Sequence, residues 1–211
     1  MIPTPEGWID PAPDRPIPFF SAVRDDVRAH IPPAEQGGGR SSRLLRRLKI
    51  AATSSGFHLC LIYRLSHTVR GRWGPPGRAI ASGLFWWGRH FYGCSIAPTA
   101  RIQGGLILPH PQGIVIGAGA VVGARAWIFQ NVTIGGSPDK TGLPVIGADA
   151  RVYAGAVLTG QILVGDNVVI GANAVINRDL PSRSIALATA FEVGPLPDRF
   201  LVRSTDGADL P

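Results

Sequence analysis

Acidic side chains are missing from the middle of this 211-residue chain: residues 36–138 contain no Asp or Glu, while twelve Lys and Arg fall in the same span. Over the whole chain the balance is 21 basic to 14 acidic residues, a net charge of +7. A basic stretch with nothing to neutralise it favours an anionic partner, such as cofactor phosphates, anionic lipid or nucleic acid, over a basic one. Cysteine is also scarce. Cys60 and Cys94 are too few for a disulfide framework or a thiolate zinc site, and no metal is expected. No apolar run reaches the ~18 residues of a membrane span, and no signal-peptide pattern opens the sequence, so a cytosolic protein is expected. Charged residues amount to only 17% against 45% hydrophobic, which excludes a disordered chain. Glycine, in contrast, is abundant at 27 residues, which points to many tight turns.

Composition divides the chain. Residues 1–35 hold eight of the nineteen prolines and read as an extended lead with a short helix around residues 21–29. Residues 36–93 read as helical: Leu44, Leu45, Leu48 and Ile50 alternate with Arg43, Arg46, Arg47 and Lys49, Leu59, Leu61, Ile62 and Leu65 follow, and the Pro75-Pro76 pair breaks the chain before an aromatic segment over residues 79–90. His58 and His67 fall in the helical pattern, where packing or capping is the expected role. Residues 182–211 form a tail.

Residues 94–181 repeat. Counting in sixes gives Ile96, Ile102 and Leu108, then Ile116, Val122, Ile128 and Ile134, then Ile146, Val152, Leu158, Val164, Ile170 and Ile176, all of them Ile, Val or Leu. Four residues after nearly every one stands a small or aliphatic residue, with Gln112 and Pro138 as exceptions. A six-residue unit is a short strand and a turn. Three units make one triangular coil, and stacked coils align the inward aliphatics in columns, which is a hexapeptide-repeat parallel β-helix. The rhythm breaks twice, by two extra residues between Leu108 and Ile116 and by a loop over residues 136–145. Breaks in a solenoid are where function is expected.

Both breaks carry motifs. Leu108-Pro109-His110-Pro111-Gln112-Gly113-Ile114-Val115-Ile116-Gly117, Gln130-Asn131-Val132-Thr133-Ile134-Gly135-Gly136 and, in the helical part, Gly56-Phe57-His58 and Tyr63-Arg64-Leu65-Ser66-His67 resemble the serine O-acetyltransferase branch of the hexapeptide-repeat acyltransferases. The resemblance covers roughly residues 22–193. It implies a mainly β fold with a left-handed β-helix behind a small helical region, acetyl-CoA as acyl donor, and a trimer or dimer of trimers. His110 would be the general base, since a hydroxyl must lose its proton as it attacks a thioester. Backbone N–H groups near Gly135 and Gly136 would stabilise the oxyanion. Ala154, Gly155, Ala156, Ala172 and Ala174 would line the pantetheine path, with Arg178 and Arg183 on the CoA phosphates.

This sequence also departs from that family. The aspartate fifteen residues before the histidine is Ser95, the one directly before it is Pro109, the Arg-His pair before the loop-closing proline is Gly142-Leu143, and the early Arg-Asp-Pro is matched by His30-Ile31-Pro32 or Ile31-Pro32-Pro33. Ser95, a backbone carbonyl, or Asp139 from an adjacent subunit is left to orient the histidine. The segment over adenine is rewritten as Leu187-Ala188-Thr189-Ala190-Phe191, and Val169 stands where a lysine is expected. A zwitterion is costly to desolvate without paired charges. The departures therefore lead to a sugar hydroxyl as acceptor, on a lipid-linked saccharide of surface-polysaccharide biosynthesis. The similarity to colanic-acid acetyltransferases points the same way, with peripheral membrane contact through the basic residues 40–49 and Trp86, Trp87, Phe91 and Tyr92. Serine as acceptor, and a non-catalytic scaffold, are the alternatives. A nucleic-acid module is not expected, for want of a binding motif.

Overall fold

The structure, a computed structural model, describes residues 17–31, 39–138 and 141–188. Four helices precede the strands: α1 (Phe19–Ala29), α2 (Arg40–Thr53), α3 (Ser55–Arg72) and α4 (Gly74–Tyr92). Ser54 caps α3 by accepting from the Phe57 N–H at 3.2 Å. The Pro75-Pro76 pair starts a helix rather than interrupting the chain. Both prolines lie in the first turn of α4, where the N–H they lack would have no partner anyway. Gly93, at φ 61°, closes α4 in the left-handed conformation.

The remainder is a parallel β-helix of three sheets. Sheet A stacks β1 (Ser95–Ile96), β3 (Val115–Ile116), β6 (Thr133–Gly135), β9 (Val157–Thr159) and β12 (Val175–Ile176). Sheet B stacks β2 (Arg101–Ile102), β4 (Val121–Val122), β7 (Val145–Ile146) and β10 (Leu163–Val164). Sheet C stacks β5 (Trp127–Ile128), β8 (Arg151–Val152), β11 (Val169–Ile170) and β13 (Ile185–Ala186). Chain order cycles A, B, C, so every neighbour in a sheet belongs to the next coil and pairs in parallel register, as in Ile116 against Ile134 and Ile134 against Leu158. All thirteen aliphatic hexad positions are buried, none more than 6% exposed. Each contributes roughly 1.5–3 kcal/mol of burial. The two-residue break resolves simply: Ile114, fully buried, takes the inward place that Gln112 fails to fill, and the extra residues form a bulge that exposes His110 and Gln112 while Pro111 stays buried.

A buried ion pair fastens the helices to the first coil. Asp26 of α1 accepts from Arg64 Nε at 2.9 Å and Nη2 at 3.1 Å, and from the backbone N–H groups of Gly105 at 2.8 Å and Leu106 at 2.9 Å. Arg64 of α3 also donates to the carbonyls of Ile102 and Gln103. Burial works against the Arg64 charge, but Asp26 more than offsets it and holds the guanidinium pKa above its ordinary value. Next to it, Tyr63 donates to the Ala100 carbonyl at 2.8 Å, and burial pushes its phenol up to about 12.

Candidate active site

The three edges of the prism sort the candidate residues. The edge leading from sheet C to sheet A carries the bulge with His110, then, coil by coil, Gln130-Asn131, Ala154-Gly155 and Ala172-Asn173. Asn131 and Asn173 hold φ 58°, and each tucks its amide oxygen where a Cβ on Gly113 or Gly155 above it would lie, so both glycines are required. Ala156 and Ala174 lie past the same edge but point inward, at 0% and 2% exposure, and offer no side chain to a groove. Gly135, Gly136 and Arg178 lie on the edge from A to B, across sheet A from His110. Arg183, at φ 59°, lies on the third edge, from B to C, two coils from Asp149. One chain therefore brings His110 together with Ala154, Gly155 and Ala172, and does not bring it to Gly135, Gly136, Arg178 or Arg183.

His110 is exposed, and the ends of α3 and α4 overhang it. Gly56 permits this approach, because a Cβ there would collide with the Leu108 carbonyl. A cavity of about 600 Å³ is lined by Ser55, Phe91, Tyr92, Pro109, His110 and Gln130. Among the described residues no hydrogen bond reaches the His110 ring, and the Phe129 ring lies 6.5 Å from it, centre to centre. Ser95 pairs with Val115 through the backbone, its N–H donating to the Ile114 carbonyl at 2.8 Å, and no bond joins it to His110. Asp139 lies outside the described residues. His58 and His67 bond backbone carbonyls of Ala51 at 2.7 Å and Pro98 at 2.9 Å, which are capping and packing roles.

On the far side of Pro109 a second cavity, about 660 Å³, opens between α1 and sheet C, lined by His30, Ile107, Pro109, Trp127, Asp149 and Arg151 among others. His30 Nδ1 bonds the Asp26 carbonyl at 2.8 Å while its buried Nε2 has no hydrogen-bond partner among the described residues. Burial lowers its pKa, opposed by that carbonyl and by the Asp26 charge. Trp127 and Arg151, which line this cavity from sheet C, were not singled out by the hexad count. Trp127 and Arg151 are outward positions one coil apart, but the loop over residues 136–145 stretches their spacing beyond the eighteen residues of a coil and hides it.

The hexapeptide-repeat bacterial transferase family (six repeats) matches over residues 144–178. A serine acetyltransferase of Helicobacter pylori is 40% identical over 136 residues, which span 64% of this chain and 78% of that protein. A Schizosaccharomyces pombe relative is 37% identical over 148 residues, but this chain covers only 54% of its length. Among solved structures, the serine acetyltransferase of Brucella abortus strain S19 in complex with coenzyme A superposes with a TM-score of 0.70 at 27% identity, over 82% of this chain and 66% of that one. These findings correct the acceptor reading. The relatives are serine acetyltransferases, and neither the colanic-acid branch, nor a lipid-linked saccharide, nor a place in polysaccharide biosynthesis is supported. The error was physical: missing charges argue against one ligand without selecting another.

Proposed function

The chain belongs to the serine acetyltransferase family of hexapeptide-repeat transferases, and from that premise we propose that it transfers the acetyl group of acetyl-CoA to a serine hydroxyl, with His110 as general base. The observation that carries the reading is the bulge itself: the solenoid spends two extra residues to expose His110 on an edge where, past Gln130 and Asn131, the small residues Ala154, Gly155 and Ala172 follow. A thin pantetheine arm fits along such an edge. The serine oxygen attacks the thioester carbon as His110 Nε2 or Nδ1 takes its proton. The C–O bond forms, the C–S bond breaks, and the proton passes to the CoA sulfur. Gly135, Gly136 and Arg178 reach this edge only from a second copy, so a homotrimer, alone or as a dimer of trimers, completes the oxyanion and phosphate contacts. Assays of CoA release test this: His110→Ala lowers kcat by about 10²–10⁴, with acetyl-CoA binding retained. Full activity in that variant moves the base elsewhere. No transfer to any hydroxyl, with CoA still bound, leaves a scaffold, the reading favoured by the lack of a bonded partner on the His110 ring among the described residues.

The proposal extends to location, and α2 supports it. Among the described residues no helix is long and apolar enough to cross a membrane. Leu44, Leu45, Leu48, Ala51 and Ala52 occupy a sector of about 120° on α2, and all five are exposed, while Arg46 and Ile50 on other faces are half-buried. The apolar stripe thus faces away from the other described residues. With Arg47 and Lys49 beside it and no acid on the helix, it suits peripheral contact with an anionic membrane surface on the cytoplasmic side.

A further inference from the structure

Sheet C carries, beside the His110 edge, an outward cluster that acetyl transfer to a free amino acid leaves unused. Trp127 and Phe129 flank the inward Ile128, and Arg151 and Tyr153 flank the inward Val152 one coil on. Their rings form a ladder: Phe129 and Tyr153 stack at 4.9 Å and 22°, Trp127 and Phe129 at 6.4 Å and 26°. Phe129 is the ring that meets His110, so the ladder runs from the base outward. The Arg151 guanidinium sits 5.9 Å from the centre of the Trp127 ring. Trp127 and Tyr153 are each 37% exposed, so part of each ring is open to a ligand. The cavity bounded by Trp127, Arg151 and Pro109, at about 660 Å³, has the volume of sites that take ligands far larger than serine.

Charge narrows the ligand. Asp149 is the one carboxylate among the described residues of the two cavities, and Arg125 takes both its oxygens, through Nε at 2.7 Å and through Nη2. The Arg151 guanidinium makes no ion pair or hydrogen bond among the described residues, so the shelf is positive on balance. An ammonium group meets no carboxylate there, whereas a carboxylate meets Arg151, and a flat apolar group meets three rings. We infer that the acceptor is a serine whose amino group is acylated: a carboxylate-bearing N-acylserine, its flat acyl group on Trp127, Phe129 and Tyr153 and its carboxylate toward Arg151. The hydroxyl chemistry rests on the acetyl transfer proposed above and balances in the same way, with the amide nitrogen untouched.

The test compares N-benzoyl-L-serine, N-acetyl-L-serine and L-serine with acetyl-CoA and the full chain, reading CoA release, and measures binding of N-benzoyl-L-serine by calorimetry. The expected kcat/KM for the benzoyl compound exceeds that for N-acetyl-L-serine at least tenfold, with L-serine lowest. Trp127→Ala and Arg151→Gln each raise KM for N-benzoyl-L-serine at least tenfold with KM for acetyl-CoA unchanged, and Trp127→Phe restores most of the loss. L-serine turned over as well as or better than N-benzoyl-L-serine overturns the inference and leaves the acetyl-transfer reading standing. A rise in KM for acetyl-CoA in Trp127→Ala also overturns it, since the shelf then serves the cofactor. Binding of N-benzoyl-L-serine that depends on Trp127 and Arg151, without transfer to any of the three compounds, keeps the subsite and removes the acetyl-transfer reading. Neither binding nor transfer removes both.

Discussion

Asp26 shows how much a single side chain can fix. It lies outside the repeat, yet its two oxygens hold α3 through Arg64 and the first coil through Gly105 and Leu106. Asp26→Asn keeps the shape and leaves a buried guanidinium without its counter-charge. The expected loss is about 3–5 kcal/mol, read as a lower urea midpoint at unchanged slope. His30, bonded to the Asp26 carbonyl, gives a pH signature. Its pKa is lowered in the fold by burial, so its contribution is present above the unfolded value of about 6.5 and is lost as pH falls from there toward the lowered folded value. Thermal melts should therefore show the wild type losing more stability between pH 7.5 and 5.5 than His30→Gln does. Little of this was legible beforehand. Tyr63-Arg64 was visible as part of a motif, but nothing in a linear sequence shows that residues 38 apart share a buried bond. His110 was legible, because an interruption in a strict period marks its own place.

At the scale of elements, the strands are two or three residues long and have no stability of their own; each exists because an aliphatic side chain above and below continues its column. That is why the hexad count located them so well: the period is the packing. Helices were harder. α1 runs Phe19–Ala29 against an expected start near residue 21, and α4 begins at Gly74, ahead of the expected residue 79, because the prolines suit a first turn. The outward stripe of α2 leads to an experiment. Sedimentation with vesicles containing anionic lipid should carry the wild type down at low salt, and Leu44→Asp with Leu48→Asp should reduce the bound fraction at least fivefold while leaving the melting temperature within about 2 °C, since exposed substitutions change stability little. Equal binding to neutral and anionic vesicles, or none to either, excludes the membrane contact; a change in oligomer size in the double variant assigns the stripe to a second copy.

At the scale of the molecule, what the sequence concealed was the distribution of site residues among edges. Gly135 and His110 look close on paper, yet a full sheet lies between them. Arg178 and Arg183, five positions apart, end on different edges because the face of sheet B, at Leu180, falls between them. Periodicity says which residues face inward; it does not say which edge meets a neighbouring chain. The clamp on the first coil has a further consequence. A solenoid holds together through nearest neighbours alone, and here one end is locked by Tyr63, Arg64 and Asp26 while the strand at the other, Ile185–Ala186, is only partly covered, with Ile185 63% exposed. Opening is therefore directional, like a zip with its slider fixed at one end. Amide exchange should be slowest at Ile102 and Ile116 and quicken coil by coil toward Ile170 and Ile176. A cofactor lying along the His110 edge would bridge several coils at once and slow the far end most, so the gradient in exchange would itself report where the ligand lies.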